Sequence, residues 1–569
     1  MVSSRRSIFI APLFVLAVHA GVAHGLDAEP ATAHDVRSLT PGSHAGGVVS
    51  EGLPVPVDAL LPARIRRLSN AEYAASLAAL VGGGFTAELA AKLAPDARQD
   101  GFTVNDAQRV DAVLVRQLYK AAERLGAVAT TRVKTLAPCK SLTAADSCAR
   151  AFIADFGARA YRRPLRDAES AGLFQVYQVG AQDGGYADGI GLVVQAALQS
   201  AGLLYLTELG AAPESGEPAR PEARASKAEL VLTADETASA LSFLFTGAPP
   251  DAALRAAAKS GALQTAEGRV AQAQRLRHRP GSEQRLVRMI HEWLELDKLE
   301  SVAKDTKIYP KFEGLKPEML KESRAFVAAV LADDAPGSND LSEFLGASWT
   351  VAGPRLTLLY QGQARTDGRI AVPLRRGLLN RAGFLSVQAH AHESTPVLRG
   401  VRVAKRLACQ AIPSPSAVKI EVVAPVPDPK LTTRERFAAH STTGLCVTCH
   451  QTIDSVGNAF EQFDGMGAHR TRENGRPVDS ATTIALDSTL SGRFADSNAL
   501  ALALADSTTV RECFARHMFR ALAARSSADA ESAFVAQWQT VPELKKGNLM
   551  EIMLSFVASP LFTHRRAVP

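Results

Sequence analysis

The amino-acid sequence predicts a mainly α-helical protein built from several small helical domains in series. Alanine and leucine are abundant, whereas aromatic residues make up only 6% of the chain, and this balance favours helices. The 569 residues exceed what one hydrophobic core usually organises, and at roughly 100–200 residues per domain they imply about three to five packed units. No internal repeat of fixed period is evident. We therefore expect short helices grouped into units that linkers join.

The N-terminal residues 1–25 have the pattern of a secretory signal peptide. Arg5 and Arg6 form its basic region, an apolar stretch follows over 8–18, and Ala23-His24-Gly25 form a small-residue cleavage site. No later stretch reaches the roughly 18 uninterrupted apolar residues of a membrane span. We therefore expect an exported protein of the periplasm or outer cell envelope, with no transmembrane span after signal removal.

The charge distribution argues against a nucleic-acid partner. The formal charge of +6 comes from 64 basic and 58 acidic residues, which are spread along the chain without a long run of one sign. Three arginine pairs are interpreted as solvated faces or helix ends rather than phosphate contacts. These pairs are Arg66-Arg67, Arg162-Arg163 and Arg375-Arg376.

The first two predicted domains follow a linker over 26–62. Ser69, with Glu72 three residues later, forms a capping-box signature that opens the first helix. The domain over 63–130 contains a second helix over 110–129, and the domain over 131–211 contains helices over 149–160 and 191–206, separated by a break at Pro164.

A Pro-, Glu- and Ser-rich linker over 212–229 precedes the next domain, 230–360. Thr233 and Glu236 repeat the capping signature, and Gly247 ends that helix. Helices are also expected over 282–296 and 317–332. The remaining predicted units are a segment over 370–480 and a C-terminal helical domain over 490–565.

The segment over 370–480 contains the one motif that indicates a specific chemistry. Cys446-Val447-Thr448-Cys449-His450 is C-x-x-C-H, the attachment signature of c-type haem. Two thiols at this spacing can reach the two vinyl groups of one porphyrin, and the adjacent imidazole becomes the proximal iron ligand. The sequence therefore predicts one covalent haem c on Cys446, Cys449 and His450, in a cytochrome-c-like segment.

Two other uses of a C-x-x-C pair fit the sequence less well. A structural zinc site needs two further thiol or imidazole ligands at matching spacing, and the chain has no second C-x-x-C. A thioredoxin-like redox pair needs a preceding strand. The residues over 434–440 instead have a helical pattern, capped by Thr432 or Thr433.

The sixth iron ligand is left open by the sequence. Met518 is a conventional distal ligand, but it also recurs with Val510, Phe514 and Leu522 at the spacing of a helix core. Three further candidates each have a structural alternative: Met466 lies in a Gly-Met-Gly turn, and His390 and His392 form a pair that suits an exposed loop.

Four cysteines lie outside the haem motif and allow three pairings. Cys139 and Cys148 are separated by a short polar loop, which suggests a local disulfide bond. Cys409 and Cys513 are left over, and pairing them would clamp the motif segment to the segment that follows it. An export signal makes both bonds permissible.

Taken in order, these features resemble the planctomycete and myxobacterial family of exported cytochrome-c-like proteins, built from several domains of unknown function. The resemblance implies export, c-type haem and redox chemistry in the cell envelope, and it implies no defined substrate. His469 departs from the aromatic residue usual in that family, which implies an altered iron environment. The segments that carry the resemblance are 67–82, 149–169, 232–251, 291–297, 375–379, 395–400, Cys409, 433–437, 446–450, Ile453-Asp454, Gly457, Phe463-Asp464 and 511–525.

Three functional hypotheses follow. The leading hypothesis is an electron-transfer protein, or the haem subunit of an envelope oxidoreductase, which exchanges electrons with a redox partner protein. The second is a haem enzyme such as a peroxidase, in which His390, His392 or His469 assists an open iron site. The third is a non-redox envelope scaffold in which Cys446 and Cys449 form a disulfide bond. The sequence assigns no catalytic residue.

Overall fold

Helices dominate the computed structural model, which confirms the predicted mainly α-helical class. The predicted signal peptide 1–25 and most of the linkers 26–62 and 212–229 lie outside the described residues. Among those residues, no helix has the length and apolar character needed to cross a membrane. The structure describes residues 55–83, 92–212, 228–332, 338–414, 416–417, 425–426, 428–438, 446–540 and 546–568.

The predicted capping signatures start helices where the sequence places them. The Ser69 hydroxyl accepts a hydrogen bond from the Glu72 backbone N–H, and the Glu72 carboxylate accepts one from the Ser69 N–H. Thr233 and Glu236 form the same reciprocal pair. The helices of the first two predicted domains are α1 (Asn70–Val81), α2 (Ala112–Thr131), α3 (Val133–Leu136), α4 (Ala145–Tyr161), α5 (Asp167–Gln199) and α6 (Ala201–Leu204).

The predicted helix over 191–206 was wrong in its last residues. Helix α5, which bends at Gly185, ends at Gln199, and Ser200 adopts an extended conformation. After the single turn α6, strand β2 (Tyr205–Glu208) pairs antiparallel with strand β1 (Arg64–Arg67). Pairing with a distant strand therefore overrides the local helical pattern.

The third predicted domain is helical as expected. The helix predicted over 317–332 begins earlier, at Phe312, with Pro317 inside it. Proline has no backbone N–H, so the helix lacks one hydrogen bond at this position. The buried apolar residues of the helix pack in the core and stabilise it despite this loss. Its helices are α7 (Ala234–Thr246), α8 (Ala252–Lys259), α9 (Ala266–Arg277), α10 (Ser282–Leu294), α11 (Phe312–Leu331), α12 (Leu341–Gly346) and α13 (Pro354–Leu359).

The remainder of the chain alternates helices with short strand pairs. Strands β3 (Glu229–Val231) and β11 (His564–Arg566) pair antiparallel, so the C-terminal residues return to the start of the third domain. The other strands are β4 (Trp349–Thr350), β5 (Gln363–Ala364), β6 (Ile370–Ala371), β7 (Arg472–Glu473), β8 (Arg476–Pro477), β9 (Thr482–Ala485) and β10 (Ser491–Phe494). The other helices are α14 (Ala382–Val387), α15 (Pro396–Leu407), α16 (Thr433–Phe437), α17 (Cys446–Asn458), α18 (Ser497–Asp506), α19 (Thr508–Ala523), α20 (Ala528–Thr540), α21 (Leu549–Ala558) and α22 (Pro560–Thr563).

The described apolar side chains form three clusters. The largest cluster extends from Leu60 and Leu61 to Phe562 and joins the third domain to the C-terminal helices. A second cluster fills the space between α1, α2, α4 and α5, and a third surrounds Tyr309. Because Leu60 and Leu61 are only 1% exposed, the packed chain begins before the end of the predicted linker 26–62.

The interpretation of the arginine pairs as solvated faces or helix ends was wrong for Arg66, Arg67 and Arg375. Arg162 lies at a helix end as expected, directly after α4, but it is buried as well. Arg66, Arg67, Arg162 and Arg375 are at most 6% exposed. A guanidinium group has five N–H donors and is buried at low cost only where acceptors surround it. The acceptors of Arg162 are the backbone carbonyl oxygens of Ala160, Gly202, Leu203 and Tyr205.

Helices α15 and α17 cross at two glycines, and this crossing positions the C-x-x-C-H motif. A Cβ atom on Gly400 would lie 1.9 Å from the carbonyl oxygen of Ile453. One on Gly457 would lie 1.9 Å from the carbonyl oxygen of Pro396. Both obstacles are backbone atoms, so only glycine permits this close approach.

We predict that Gly457→Ala lowers the free energy of unfolding by about 1–3 kcal/mol or more, because the new methyl group overpacks the helix crossing. Gly172→Ala on α5 is the matched control, since no atom lies within 4 Å of the Cβ it adds. Alanine there should be neutral or stabilise by up to about 1 kcal/mol. Urea unfolding of both variants measures the difference, and equal stabilities would show that the crossing is not tight.

Candidate functional site

The C-x-x-C-H motif forms the first turns of helix α17, which begins at Cys446. The Cys449 thiol is free and partly exposed. The His450 side chain is 22% exposed. Further along the helix, Ile453 and Val456 are buried, so Cys449 and His450 lie near the partly exposed start of a helix whose later turns pack in the core.

Asp454 holds the His450 imidazole in one orientation. The His450 Nδ1 and Asp454 Oδ1 atoms are 3.0 Å apart, and the Asp454 side chain is only 7% exposed. With the Nδ1–H donating to this carboxylate, Nε2 becomes the nitrogen whose lone pair can take a metal. A metal-bound histidine in proteins usually has such a second partner.

Sequence reasoning did not assign this role to Asp454, although a signal was present. The two residues are four apart, and positions i and i+4 of a helix face each other. A carboxylate at that distance from a candidate metal-binding histidine can therefore be recognised once the motif is predicted to lie on a helix.

Two buried arginines fix the turn that follows α17. Arg399 donates to the carbonyl oxygens of Phe460, Phe463 and Asp464 at 2.7–3.0 Å. Arg375 donates to the Gly467 carbonyl at 2.6 Å. Burial lowers the pKa of Arg375 to about 10, so it remains a cation at neutral pH. The turn over 460–467 is consequently held from α15 and from the segment before α14.

The two methionine candidates for the sixth ligand are both in apolar surroundings. Met518 has no exposed surface and lies in the largest apolar cluster, within α19. Met466 is 8% exposed and belongs to the cluster around Tyr309. Each packs as a core side chain where it lies.

The two histidine candidates lie in an exposed loop beside α16, the helix that precedes the motif. The His390 and His392 side chains are 40% and 47% exposed and both approach Glu393. Arg436 of α16 also pairs with Glu393. Burial would raise the pKa of Glu393, but hydrogen bonds from His390 and Arg436 hold it below its ordinary value. One ligand atom from each of His390, His392 and Glu393 lies within 4.8 Å of the others.

His469 lies in a different environment, in the wall of a cavity of about 330 Å³. Its ring meets Phe463 edge-on, with the ring centroids 5.8 Å apart. Burial, followed by the nearby charge of Arg375, lowers the pKa of His469. A neutral imidazole can act as a proton acceptor, so the surroundings of His469 are compatible with the predicted acid–base role.

Both predicted disulfide bonds, Cys139–Cys148 and Cys409–Cys513, are present. The second bond joins the end of α15 to α19 and so ties the motif segment to the C-terminal helices. His517, which sequence reasoning missed, lies beside it with its Nε2 atom 3.9 Å from the Cys409 sulfur. Burial and then the charge of Arg406 lower the pKa of His517 to about 3, so this imidazole is neutral at physiological pH.

Comparison with known families places four domains of unknown function in series along the chain. In chain order, the matching family models are PSD3 (DUF1587) over residues 66–131, PSD5 (DUF1595) over 148–208, PSD4 (DUF1592) over 232–361 and PSCyt3 (DUF1588) over 375–473. Each is described as a protein of unknown function. The C-x-x-C-H motif lies within the PSCyt3 match. No curated protein and no solved structure matches the chain.

We predict that the two disulfide bonds stabilise the protein unequally. The Cys409–Cys513 bond closes a loop with a sequence separation of 104, against 9 for Cys139–Cys148. In the chain-entropy model these loops correspond to about 4.7 and ~2.6 kcal/mol respectively. Thermal unfolding of Cys409→Ser, Cys513→Ser should therefore show the larger loss. The prediction fails if Cys139→Ser, Cys148→Ser is destabilised as much or more.

Proposed function

We propose that this protein carries one c-type haem on Cys446 and Cys449, with His450 as the proximal iron ligand, and transfers electrons in the cell envelope. The observation that carries the proposal is the geometry of helix α17. A free cysteine thiol at Cys449 directly precedes a histidine whose Nδ1 atom is bonded to a buried carboxylate. That arrangement leaves Nε2 as the nitrogen that takes a metal.

Cys449 and His450 fit a covalently attached haem. Covalent attachment requires thiols that are not in disulfide bonds, and Cys449 meets this condition. The partial exposure of Cys449 and His450 would leave an edge of the haem near the surface, where a redox partner protein could exchange electrons. When bound, the haem would supply one-electron chemistry at iron. The chain itself would supply the ligand, its orientation and the packing of α17 against α15.

The disulfide bonds and the family match support a c-type cytochrome of the cell envelope. Two disulfide bonds favour an oxidising compartment such as the bacterial periplasm, which agrees with the predicted signal peptide. The name of the family model that covers the motif, PSCyt3, suggests a cytochrome. The scaffold hypothesis requires Cys449 in a disulfide bond with Cys446, and the free state of Cys449 does not favour it.

We predict that the exported protein retains haem through denaturing electrophoresis. It should stain for haem and have the intact mass of the chain plus one haem, when produced in a host that matures c-type cytochromes. Cys446→Ala, Cys449→Ala should lose both signals, because the thioether bonds cannot form.

The matched control is Cys139→Ala, Cys148→Ala, which removes two cysteines outside the motif and should keep the stain. A folded wild-type protein without covalent haem would refute the proposal. Retention of haem by the Cys446→Ala, Cys449→Ala variant would also refute the assigned attachment.

The His450–Asp454 pair favours a haem enzyme such as a peroxidase as a second candidate. A carboxylate that accepts the Nδ1–H increases the basicity of the ligating nitrogen. A more strongly donating ligand stabilises ferric iron relative to ferrous iron, which suits oxidative chemistry with peroxide. The same pair is compatible with an electron carrier of low reduction potential. The enzyme and the carrier would differ in whether a second protein side chain also binds the iron.

We predict that Asp454→Asn raises the reduction potential of the haem protein, because the negative charge that favours ferric iron is lost. Each tenfold change in the ferric-to-ferrous preference corresponds to about 59 mV for one electron, and a shift of this order is expected. Asp183→Asn, an exposed aspartate on α5, should leave the potential unchanged. Redox titration gives the shift, and an unchanged potential in Asp454→Asn would contradict the role of Asp454.

Rapid cyanide binding by the wild type would favour the enzyme, and a low-spin iron that excludes cyanide would favour the carrier.

A further inference from the structure

A small cavity lies where several distant parts of the chain meet. Strands β1, β2 and β11 and helices α7, α10 and α19 are among the elements that contribute to its wall. Its volume is about 30 Å³. The charged residues of the wall are Arg64, Arg66, Glu72, Glu208, Arg285 and Arg565.

Positive charge is in excess around this cavity. Four guanidinium groups and two carboxylates line it, so the wall carries two more positive than negative charges. Outside the wall, Arg525 lies 3.8 Å from Glu208 and Asp106 lies 3.6 Å from Arg64. Arg525 and Asp106 together add one positive and one negative charge, so the excess of positive charge is unchanged.

The carboxylates of the wall are already engaged by the other arginines. Arg66 forms a two-pronged pair with Glu72, with both N···O distances 2.8 Å. Arg64 and Arg565 donate to Glu208 at 2.9 and 2.8 Å. Glu292, on the same helix as Arg285, instead accepts hydrogen bonds from the backbone N–H and the hydroxyl of Thr103. Arg285 is thus left without a carboxylate of its own among the described residues.

Two N–H donors of the wall have no acceptor. The Nε atoms of Arg64 and Arg285 are both buried and have no hydrogen-bond partner among the described residues. A buried donor without an acceptor destabilises the fold, and the cost is greater when the group is charged. Burial also lowers the pKa of Arg285, as expected for a cation that lacks a full counter-charge. The site therefore offers both the charge and the donors that an anion requires.

We propose that this cavity binds a single chloride ion that bridges the N-terminal strands, helix α10 and the C-terminal strand. About 30 Å³ of the cavity is open to the centre of a water-sized sphere, and about 10–15 Å³ on this measure is enough to hold one water molecule. A chloride ion, which is not much larger than a water molecule, therefore fits.

The proposed chloride has a structural role that is independent of the haem proposal. It would neutralise part of the excess charge and accept hydrogen bonds from the unpartnered donors, at a point where residues far apart in sequence meet. An anion that binds only the folded state stabilises it in proportion to the logarithm of its concentration. Loss of the ion should weaken the attachment of the C-terminal segment and leave helix α17 in place.

The test measures the unfolding midpoint of the full-length protein while sodium chloride replaces sodium gluconate at constant ionic strength. The midpoint of the wild type should rise with chloride, by ~1–3 °C over two decades of concentration above the dissociation constant. Arg285→Met removes the cation without a carboxylate and should abolish this dependence. The matched control is Arg288→Met, an exposed position on the same helix, which should keep it.

A direct measurement covers the case in which Arg285→Met does not fold. Crystals of the wild-type protein grown in sodium bromide should show an anomalous scattering peak in the cavity, within hydrogen-bonding distance of Arg64 and Arg285. A cavity that contains water only would overturn the proposal. So would equal midpoints in chloride and gluconate for the wild type.

Discussion

The buried carboxylate of Glu208 is the interaction on which the arrangement of the chain most depends. Arg64 from the N-terminal strand and Arg565 from the C-terminal strand both bond to it, and Arg525 lies 3.8 Å away. Burial would raise the pKa of Glu208, but the three guanidinium groups hold it well below its ordinary value. The carboxylate is therefore ionised, and it joins segments that lie hundreds of residues apart. The N-terminal strand, the end of the PSD5 match and the C-terminal residues thus meet in one charged junction.

Other buried arginines also join separate segments of the chain, but they donate to backbone carbonyl oxygens rather than to carboxylates. Arg162 joins the end of α4 to the turn before β2, and Arg399 joins α15 to the turn after α17. Helix ends and tight turns leave carbonyl oxygens without partners, and one guanidinium group can satisfy several of them. Arginine is suited to this role because it remains charged when buried. The position of the motif helix consequently follows from arginines on other elements as well as from its own sequence.

Local signals in the sequence predicted the parts of the structure that depend on neighbouring residues. The capping boxes at Ser69 and Thr233 require only residues within one turn, and both formed where predicted. The pairing of β1 with β2 and of β3 with β11 depends on residues far apart in sequence, and no local pattern encodes it. The same reason explains the buried arginines, whose burial depends on acceptors contributed by distant segments. At the candidate site, spacing alone selects the two cysteines and the histidine, whereas the contact of Asp454 with His450 depends on the motif lying on a helix.

The described cysteines are in two different states. Cys139, Cys148, Cys409 and Cys513 form disulfide bonds, and Cys449 does not. In an oxidising compartment a C-x-x-C pair oxidises readily unless its thiols are used in another bond. Thioether attachment to haem would be such a bond, and it is irreversible under these conditions. The proposed haem would therefore have to be attached before the motif thiols are oxidised to a disulfide bond. The Cys449 thiol is partly exposed at the start of α17, where a haem-attaching enzyme could reach it.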